Sequence, residues 1–154
     1  MKRIVDTAFV HVETGIRNQT SVPVRLRELE VAAAPLAEDP RVLAIYGFGS
    51  RARGEAGPGS DLDLAVLMDE DVDLMDELRL RADLVEQIRR DDIDLVILNH
   101  APPLLRYEVI SAGQRLFSRD DERAGDFEHR AAMHCFDTAH LRATQQRLVR
   151  EARR

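Results

Sequence analysis

Three short apolar runs, separated by segments of helical periodicity, constrain the fold of this chain more than any other feature. The runs cover residues 42–46, 61–68 and 93–98, and each has the length of a buried β-strand. Apolar residues spaced three and four apart predict helices, and a shorter apolar stretch predicts an edge strand. The predicted helices cover about 21–39, 73–90, 102–111 and 120 onward, and the edge strand covers 114–117. This order of elements predicts an α/β (α+β) fold with a small mixed β-sheet flanked by helices.

The length of 154 residues predicts a single domain, 1–154, with a core of about 22–118 and a C-terminal helical segment of about 120–152. Residues 1–20 show no readable pattern. No apolar run approaches the roughly 18 residues of a membrane span. A single cysteine excludes an internal disulfide and suits a cytoplasmic location. The net charge of −6 argues against direct nucleic-acid binding by electrostatic attraction alone.

A Gly-Ser pair, Gly49-Ser50, follows the first predicted strand after Gly47 and Phe48. Glycine allows backbone to approach a ligand closely, and a helix that starts here would direct free N–H groups at a phosphate. The Ser50 hydroxyl could add another donor. Gly-Ser turns are common, however, so this pair alone fits an ordinary turn as well as a nucleotide site.

Two carboxylates, Asp61 and Asp63, begin the second predicted strand. Side chains two residues apart in a strand share a face, so both carboxylates are expected to project together while Leu62 and Leu64 enter the core. At about 4 Å and an effective dielectric near 20, their repulsion costs roughly 4 kcal/mol. A bound Mg²⁺ would offset this repulsion. The alternative is a solvated, acidic strand end.

A third carboxylate, Asp94, lies inside the apolar run 93–98. A carboxylate buried among apolar residues is costly unless it is paired, hydrogen-bonded or bound to metal. Asp92 is two residues earlier on the same face and competes for the same role. Asp94 is favoured because apolar residues flank it on both sides, whereas Asp92 belongs to the polar turn.

Two arginines, Arg51 and Arg53, follow the Gly-Ser pair. They are interpreted either as part of a solvated loop or as a clamp on a triphosphate or a partner. The Gly-Ser turn and the three carboxylates together form the set that two-metal phosphoryl transfer requires.

The spacing of these residues resembles a known signature. Gly49-Ser50, ten residues, then Asp61-Leu62-Asp63 is similar to the Gly-Ser-x10-Asp-x-Asp motif of the DNA polymerase β-like nucleotidyltransferase superfamily, and the stretch GFGSRARGEAGPGSDLDLAVL looks like its minimal nucleotidyltransferase branch. The resemblance covers roughly residues 41–118. It implies a nucleotidyltransferase fold and Asp61, Asp63 and Asp94 as catalytic metal ligands. It also implies Gly49 and Ser50 as the triphosphate grip, with Mg²⁺, as two ions, and ATP as cofactor and substrate.

Within that branch the chain resembles the MntA antitoxins of HEPN–MNT toxin–antitoxin pairs, through the segment 101–108 and the segment 115–117. The resemblance implies transfer of AMP from ATP to a tyrosine hydroxyl of a partner HEPN ribonuclease toxin, which neutralises the toxin. Two alternatives stay open. One is a small-molecule nucleotidyltransferase of the aminoglycoside type, and the other is an antitoxin that acts by binding alone.

Overall fold

The computed structural model of the protein describes residues 24–57 and 59–139. Within them lie five helices and four strands. The helices are α1 (Val24–Glu38), α2 (Gly49–Arg53), α3 (Leu74–Ile88), α4 (Pro103–Ala112) and α5 (Asp121–Asp137), and the strands are β1 (Val42–Phe48), β2 (Leu62–Met68), β3 (Ile93–Ile97) and β4 (Gln114–Ser118). None of the described helices is both long and apolar enough to cross a membrane.

The four strands form one mixed sheet in the order β3-β2-β1-β4. β1 lies antiparallel to both β2 and β4, whereas β2 and β3 run parallel and are joined through α3. β4 is therefore an edge strand beside β1, as the sequence predicts. The expected small mixed sheet flanked by helices is confirmed.

Each face of the sheet carries its own apolar core. Alternate side chains of the strands, such as Leu64 and Val66, pack with α1 and α3 on one face. The residues between them, such as Ala65 and Leu67, pack with α4 and α5 on the other face. The period of two along each strand assigns its side chains to these two layers.

Local sequence signals account for most element boundaries. The Asp73 side chain accepts a hydrogen bond from the Asp76 N–H at 2.8 Å and caps α3, as predicted. α1 ends at Glu38, just before the predicted stop at Asp39-Pro40. β1 continues two residues beyond the predicted end at 46, and β2 begins at Leu62, one residue late. The predictions for residues 1–20 and for helix beyond 139 lie outside the described residues.

A buried polar group joins α5 to the sheet. The Tyr46 hydroxyl donates to Glu128 Oε1 at 2.9 Å, and Arg115 donates to the same oxygen at 3.3 Å. Tyr46 is almost fully buried. Burial, with the Glu128 charge beside it, raises the Tyr46 pKa. The phenol therefore stabilises the fold only while it is protonated.

Tyr46→Phe is expected to lower the free energy of unfolding by about 1–2 kcal/mol at pH 8, because Glu128 loses a buried donor. Since the folded-state pKa of Tyr46 is raised, its contribution is complete below the unfolded pKa of about 10 and is lost as pH rises beyond it. Urea denaturation at pH 8 and pH 10.5 should therefore show a smaller difference between variant and wild type at the higher pH. Equal stability at pH 8 would contradict this role.

Candidate active site

The predicted site residues gather where β1 ends and where β2 and β3 begin. Phe48, the last residue of β1, pairs with Asp63 of β2, and Asp63 pairs in parallel register with Asp94 of β3. Neighbouring strands are about 4.8 Å apart, so register partners that project on the same face are close neighbours. Both aspartates lie on the sheet face that α4 and α5 partly cover, because Ala65 and Val96, two residues further along each strand, pack there.

Gly49 lies directly against the carboxylate of Asp63. Its φ is +69°, and a Cβ at this position would lie 2.0 Å from Asp63 Oδ2. Glycine is therefore required at this position for two reasons: the backbone is left-handed, and there is no space for a Cβ. The Gly49 backbone is therefore packed closely against Asp63, and its approach to a phosphate stays a prediction.

Asp63 lies in an environment that disfavours its negative charge. Its pKa is raised, first by partial burial and then by the negative charges of Asp94 and Asp61. The positive charges of Arg53 and Arg51 act in the opposite direction. The folded protein thus holds a carboxylate in an unfavourable electrostatic environment, as expected where a cation or substrate binds.

Asp94 differs in one respect from the sequence-based expectation. Its side chain is 57% exposed, so it is not buried among apolar neighbours. The strand alternates, and Ile93 and Leu95 point into the core while Asp94 projects on the other face of an edge strand. Asp92, the alternative candidate, is bound by Arg90 at 2.5 Å, which lowers the Asp92 pKa to about 2. The choice of Asp94 over Asp92 stays a prediction.

Asp61 is exposed and lies one residue before β2. Among residues 24–57 and 59–139, no group of three or more His, Cys, Asp or Glu side chains stands ready to hold a metal ion. The structure therefore brings Asp63 and Asp94 into register, with Asp61 near enough to act on the Asp63 charge, but does not form a closed three-ligand cage. The metal site stays a prediction.

The residues expected to grip a nucleotide fall into two groups. Ser50 and Arg53 are accessible at the site, and the Arg53 side chain is 39% exposed and meets only Glu55 among the described residues. Arg51 instead turns inward, with a side chain only 11% exposed. Its contacts, described below, are with the protein itself.

Sequence reasoning missed Arg81 of α3. Its guanidinium donates to the Leu95 carbonyl at 2.6 Å and lies 3.8 Å from Asp94 Oδ1. Arg81 thus reaches around the open edge of β3 to the carboxylate. No local sequence pattern predicts this contact, because it depends on how α3 packs against the sheet.

The sequence model of the family described as polymerase beta, nucleotidyltransferase matches residues 30–122, more than half of the chain. The chain belongs to this family. The matched region contains all the predicted site residues, from Gly49 to Asp94. The resemblance recognised in the Gly-Ser-x10-Asp-x-Asp spacing is thereby confirmed.

Two curated members of the family are similar in sequence. The protein adenylyltransferase MntA of Shewanella oneidensis is 34% identical over 85 residues, which span 54% of this chain and 60% of that protein. The protein adenylyltransferase MntA of Aphanizomenon flos-aquae is 28% identical over 124 residues, which span 75% of this chain and 83% of that protein.

Two solved structures are similar in fold. A crystal structure of a toxin–antitoxin with AMP-PNP has a chain with 27% identity and a TM-score of 0.65, covering 81% of this chain and 98% of that one. A structure of a tri-AMPylated Shewanella oneidensis HEPN toxin in complex with its MNT antitoxin gives 25% identity and a TM-score of 0.61, covering 83% and 98%. The expected likeness to MntA antitoxins is confirmed.

The donor set of this family member fits Mg²⁺ in its chemistry. Mg²⁺ prefers carboxylate oxygens and usually takes one or two of them, together with substrate phosphates and water. Asp61 and Asp63 can supply those two, and the raised pKa of Asp63 marks negative charge that a cation would relieve. A closed cage of protein ligands is therefore not required for the ion to bind with a nucleotide.

Proposed function

We propose that this chain is a Mg²⁺-dependent antitoxin that transfers AMP from ATP to a tyrosine hydroxyl of a HEPN ribonuclease toxin and thereby silences it. The observation that carries the proposal is the register of Asp63 with Asp94 beside Gly49. The names of the similar proteins support the nucleotide and the partner, since they include adenylyltransferases and an AMPylated HEPN toxin.

The residues of the site divide the work by position. Ser50 and Arg53 are accessible beside Asp63 and would bind the triphosphate, the first as a hydroxyl donor and the second as a cation. Asp61 and Asp63 would hold Mg²⁺. When bound, the ion would neutralise charge on the α-phosphate and the leaving pyrophosphate.

Asp94 is suited to receive the acceptor. It lies on the edge strand with more than half of its side chain exposed, so a hydroxyl carried by another protein can reach it. The acceptor oxygen would form a bond to the α-phosphorus while the bond to pyrophosphate breaks. The acceptor proton would pass to the Asp94 carboxylate.

Transfer of label from α-³²P-ATP to a co-expressed HEPN toxin tests the proposal. The wild-type chain with Mg²⁺ should label the toxin at tyrosine and reduce its ribonuclease activity, and EDTA should abolish both effects. Mass spectrometry of the toxin should show a mass increase equal to one or more AMP groups. If the toxin carries no label but its ribonuclease activity is still reduced when this chain is bound, catalysis is contradicted and neutralisation by binding alone is supported.

A matched pair of variants separates the site from the fold. Asp94→Asn removes the exposed carboxylate, and we expect labelling to fall by at least about 100-fold, or roughly 2.7 kcal/mol in activation free energy. Asp91→Asn changes an exposed aspartate that precedes the same strand, and labelling should be unchanged. If the two variants label the toxin equally, Asp94 has no role in transfer.

A further inference from the structure

We infer that Arg51 is a positioning residue that anchors the loop of residues 54–57 and 59–61 and so places Asp61 beside Asp63, and that it does not bind the triphosphate. The inference rests on the proposed function, because it concerns how that site is held together. It reassigns one of the two arginines that the sequence alone leaves equivalent.

The contacts of Arg51 are all with the protein. Nε donates to the Ser60 carbonyl at 2.8 Å and to the Asp61 carbonyl at 3.2 Å, and Nη2 donates to Ser60 at 2.5 Å. Nη1 binds Glu28 Oε2 of α1 at 2.6 Å. All three nitrogens of the guanidinium therefore have partners, and the side chain is 11% exposed.

A phosphate would have to displace these partners. Hydrogen bonds from a charged donor are stronger than the average hydrogen bond, and a phosphate would take this donor away from the part-buried Ser60 carbonyl and from Glu28. Arg53 lies two residues further along the same short helix, and it could bind a phosphate without breaking such bonds. It is 39% exposed, and within the described part of the chain its side chain is bound to Glu55 alone, itself 65% exposed, at 3.0 Å.

The other backbone hydrogen bonds of the loop are local: Gly54 and Glu55 donate to the carbonyls of Arg51 and Ser50, and Ser60 donates to the carbonyl of Gly57. The loop contains Gly54 and Gly59 in left-handed conformations, and glycine adds backbone freedom. Within the described part of the loop, one further tether is a bond from the Gly57 N–H to Ser60 Oγ at 3.0 Å. The Asp61 side chain has no hydrogen bond or ion pair of its own among the described residues. Its position thus depends on its backbone, to which Arg51 donates.

Glu28 extends the anchor to α1. It bonds Nη1, whereas the loop carbonyls bond Nε and Nη2, and it is 40% exposed. A Glu28 variant therefore leaves the three aspartates in place. A planar guanidinium makes several bonds at once, whereas a lysine ammonium cannot reproduce that geometry. These features supply variants that weaken the anchor by different amounts.

The test compares Arg51→Gln, Arg51→Lys, Glu28→Gln and Arg53→Gln in the full chain with its toxin. For Arg51→Gln we expect kcat to fall at least about tenfold with KM for ATP changed less than about threefold. Hydrogen exchange of the amides in 54–61 should accelerate, and calorimetry with Mn²⁺ should show weaker binding. Arg51→Lys and Glu28→Gln should have smaller effects on kcat, amide exchange and Mn²⁺ binding. The double variant Glu28→Gln, Arg51→Gln should differ little from Arg51→Gln alone. Arg53→Gln should instead raise KM with the loop amides unchanged.

Two results would overturn the inference. One is an Arg51→Gln protein whose KM for ATP rises tenfold while kcat and amide exchange stay at wild-type values. The other is unchanged exchange and Mn²⁺ affinity in Glu28→Gln, the variant that decides the matter if Arg51→Gln does not fold. If the wild-type chain does not label the toxin, the proposed function fails. The amide exchange rates and the Mn²⁺ affinities of the variants still decide whether Arg51 anchors the loop.

Discussion

Asp63→Asn is expected to abolish adenylyl transfer while making the ligand-free protein more stable. The carboxylate lies between Gly49 and Asp94 at the centre of the site, and asparagine cannot supply the negative charge that the proposed Mg²⁺ ion would need from its ligand. A loss of at least about 1000-fold in kcat/KM would correspond to roughly 4 kcal/mol of transition-state stabilisation.

The gain in stability follows from the direction of the pKa shift. Burial and the charges of Asp94 and Asp61 raise the Asp63 pKa above its ordinary value of 3.8. A raised pKa means that the folded state disfavours the ionised form. The stabilising contribution of the protonated group is complete below pH 3.8 and is lost as pH rises through the folded-state pKa. At pH 7 the wild type therefore carries a cost that asparagine removes.

Thermal unfolding of the ligand-free proteins at pH 7 checks this prediction. Allowing for solvent screening, we expect Asp63→Asn to gain about 0.5–1 kcal/mol, or a melting temperature higher by about 1–4 °C. Asp92→Asn is the matched control on the adjacent strand end. Arg90 lowers the Asp92 pKa to about 2, so removing that charge should reduce stability. A destabilised Asp63→Asn protein would refute the electrostatic account of the site.

Gly49→Ala is expected to lower both stability and activity. The added methyl group would lie 2.0 Å from Asp63 Oδ2, so the carboxylate or the turn has to move. The left-handed backbone at φ +69° adds a cost of about 1–2 kcal/mol for any residue with a Cβ. We expect a total loss of about 2–4 kcal/mol in the free energy of unfolding and a loss of transfer activity of at least about tenfold.

Gly59→Ala separates the two causes. Gly59 has a similar φ of +83°, and a Cβ there would meet nothing within 4 Å. This variant should show the backbone cost alone, about 1 kcal/mol, and a smaller loss of transfer activity than Gly49→Ala. Urea denaturation and the labelling assay measure both quantities. If the two alanine variants behave alike, contact between Gly49 and Asp63 has no part in the function.

Local sequence patterns predict the elements of this fold well because their causes are local. Hydrophobic periodicity and the cap at Asp73 each depend on a few adjacent residues. The polymerase β-like spacing is also local, since Gly49 and Asp63 are joined by one turn, one short helix and a loop. The family can therefore be recognised from the sequence before the structure is known.

Local sequence patterns did not predict the exposure of Asp94 correctly. An isolated carboxylate within an apolar run suggests burial, but β3 is an edge strand and its alternate face is partly open. Whether a strand lies at the edge or the centre of a sheet depends on pairing between distant segments. The register that sets Asp94 beside Asp63 was for the same reason beyond the reach of sequence spacing.

The amino-acid sequence by itself determined which elements form, in what order, and which carboxylates belong to a nucleotidyltransferase motif. The tertiary structure alone decided that Asp63 and Asp94 are neighbours, that Arg81 reaches Asp94, and that Arg51 turns inward while Arg53 stays accessible. The reason is physical. Backbone propensity acts between adjacent residues, whereas the direction of a long charged side chain is set by the acceptors that packing brings within its reach.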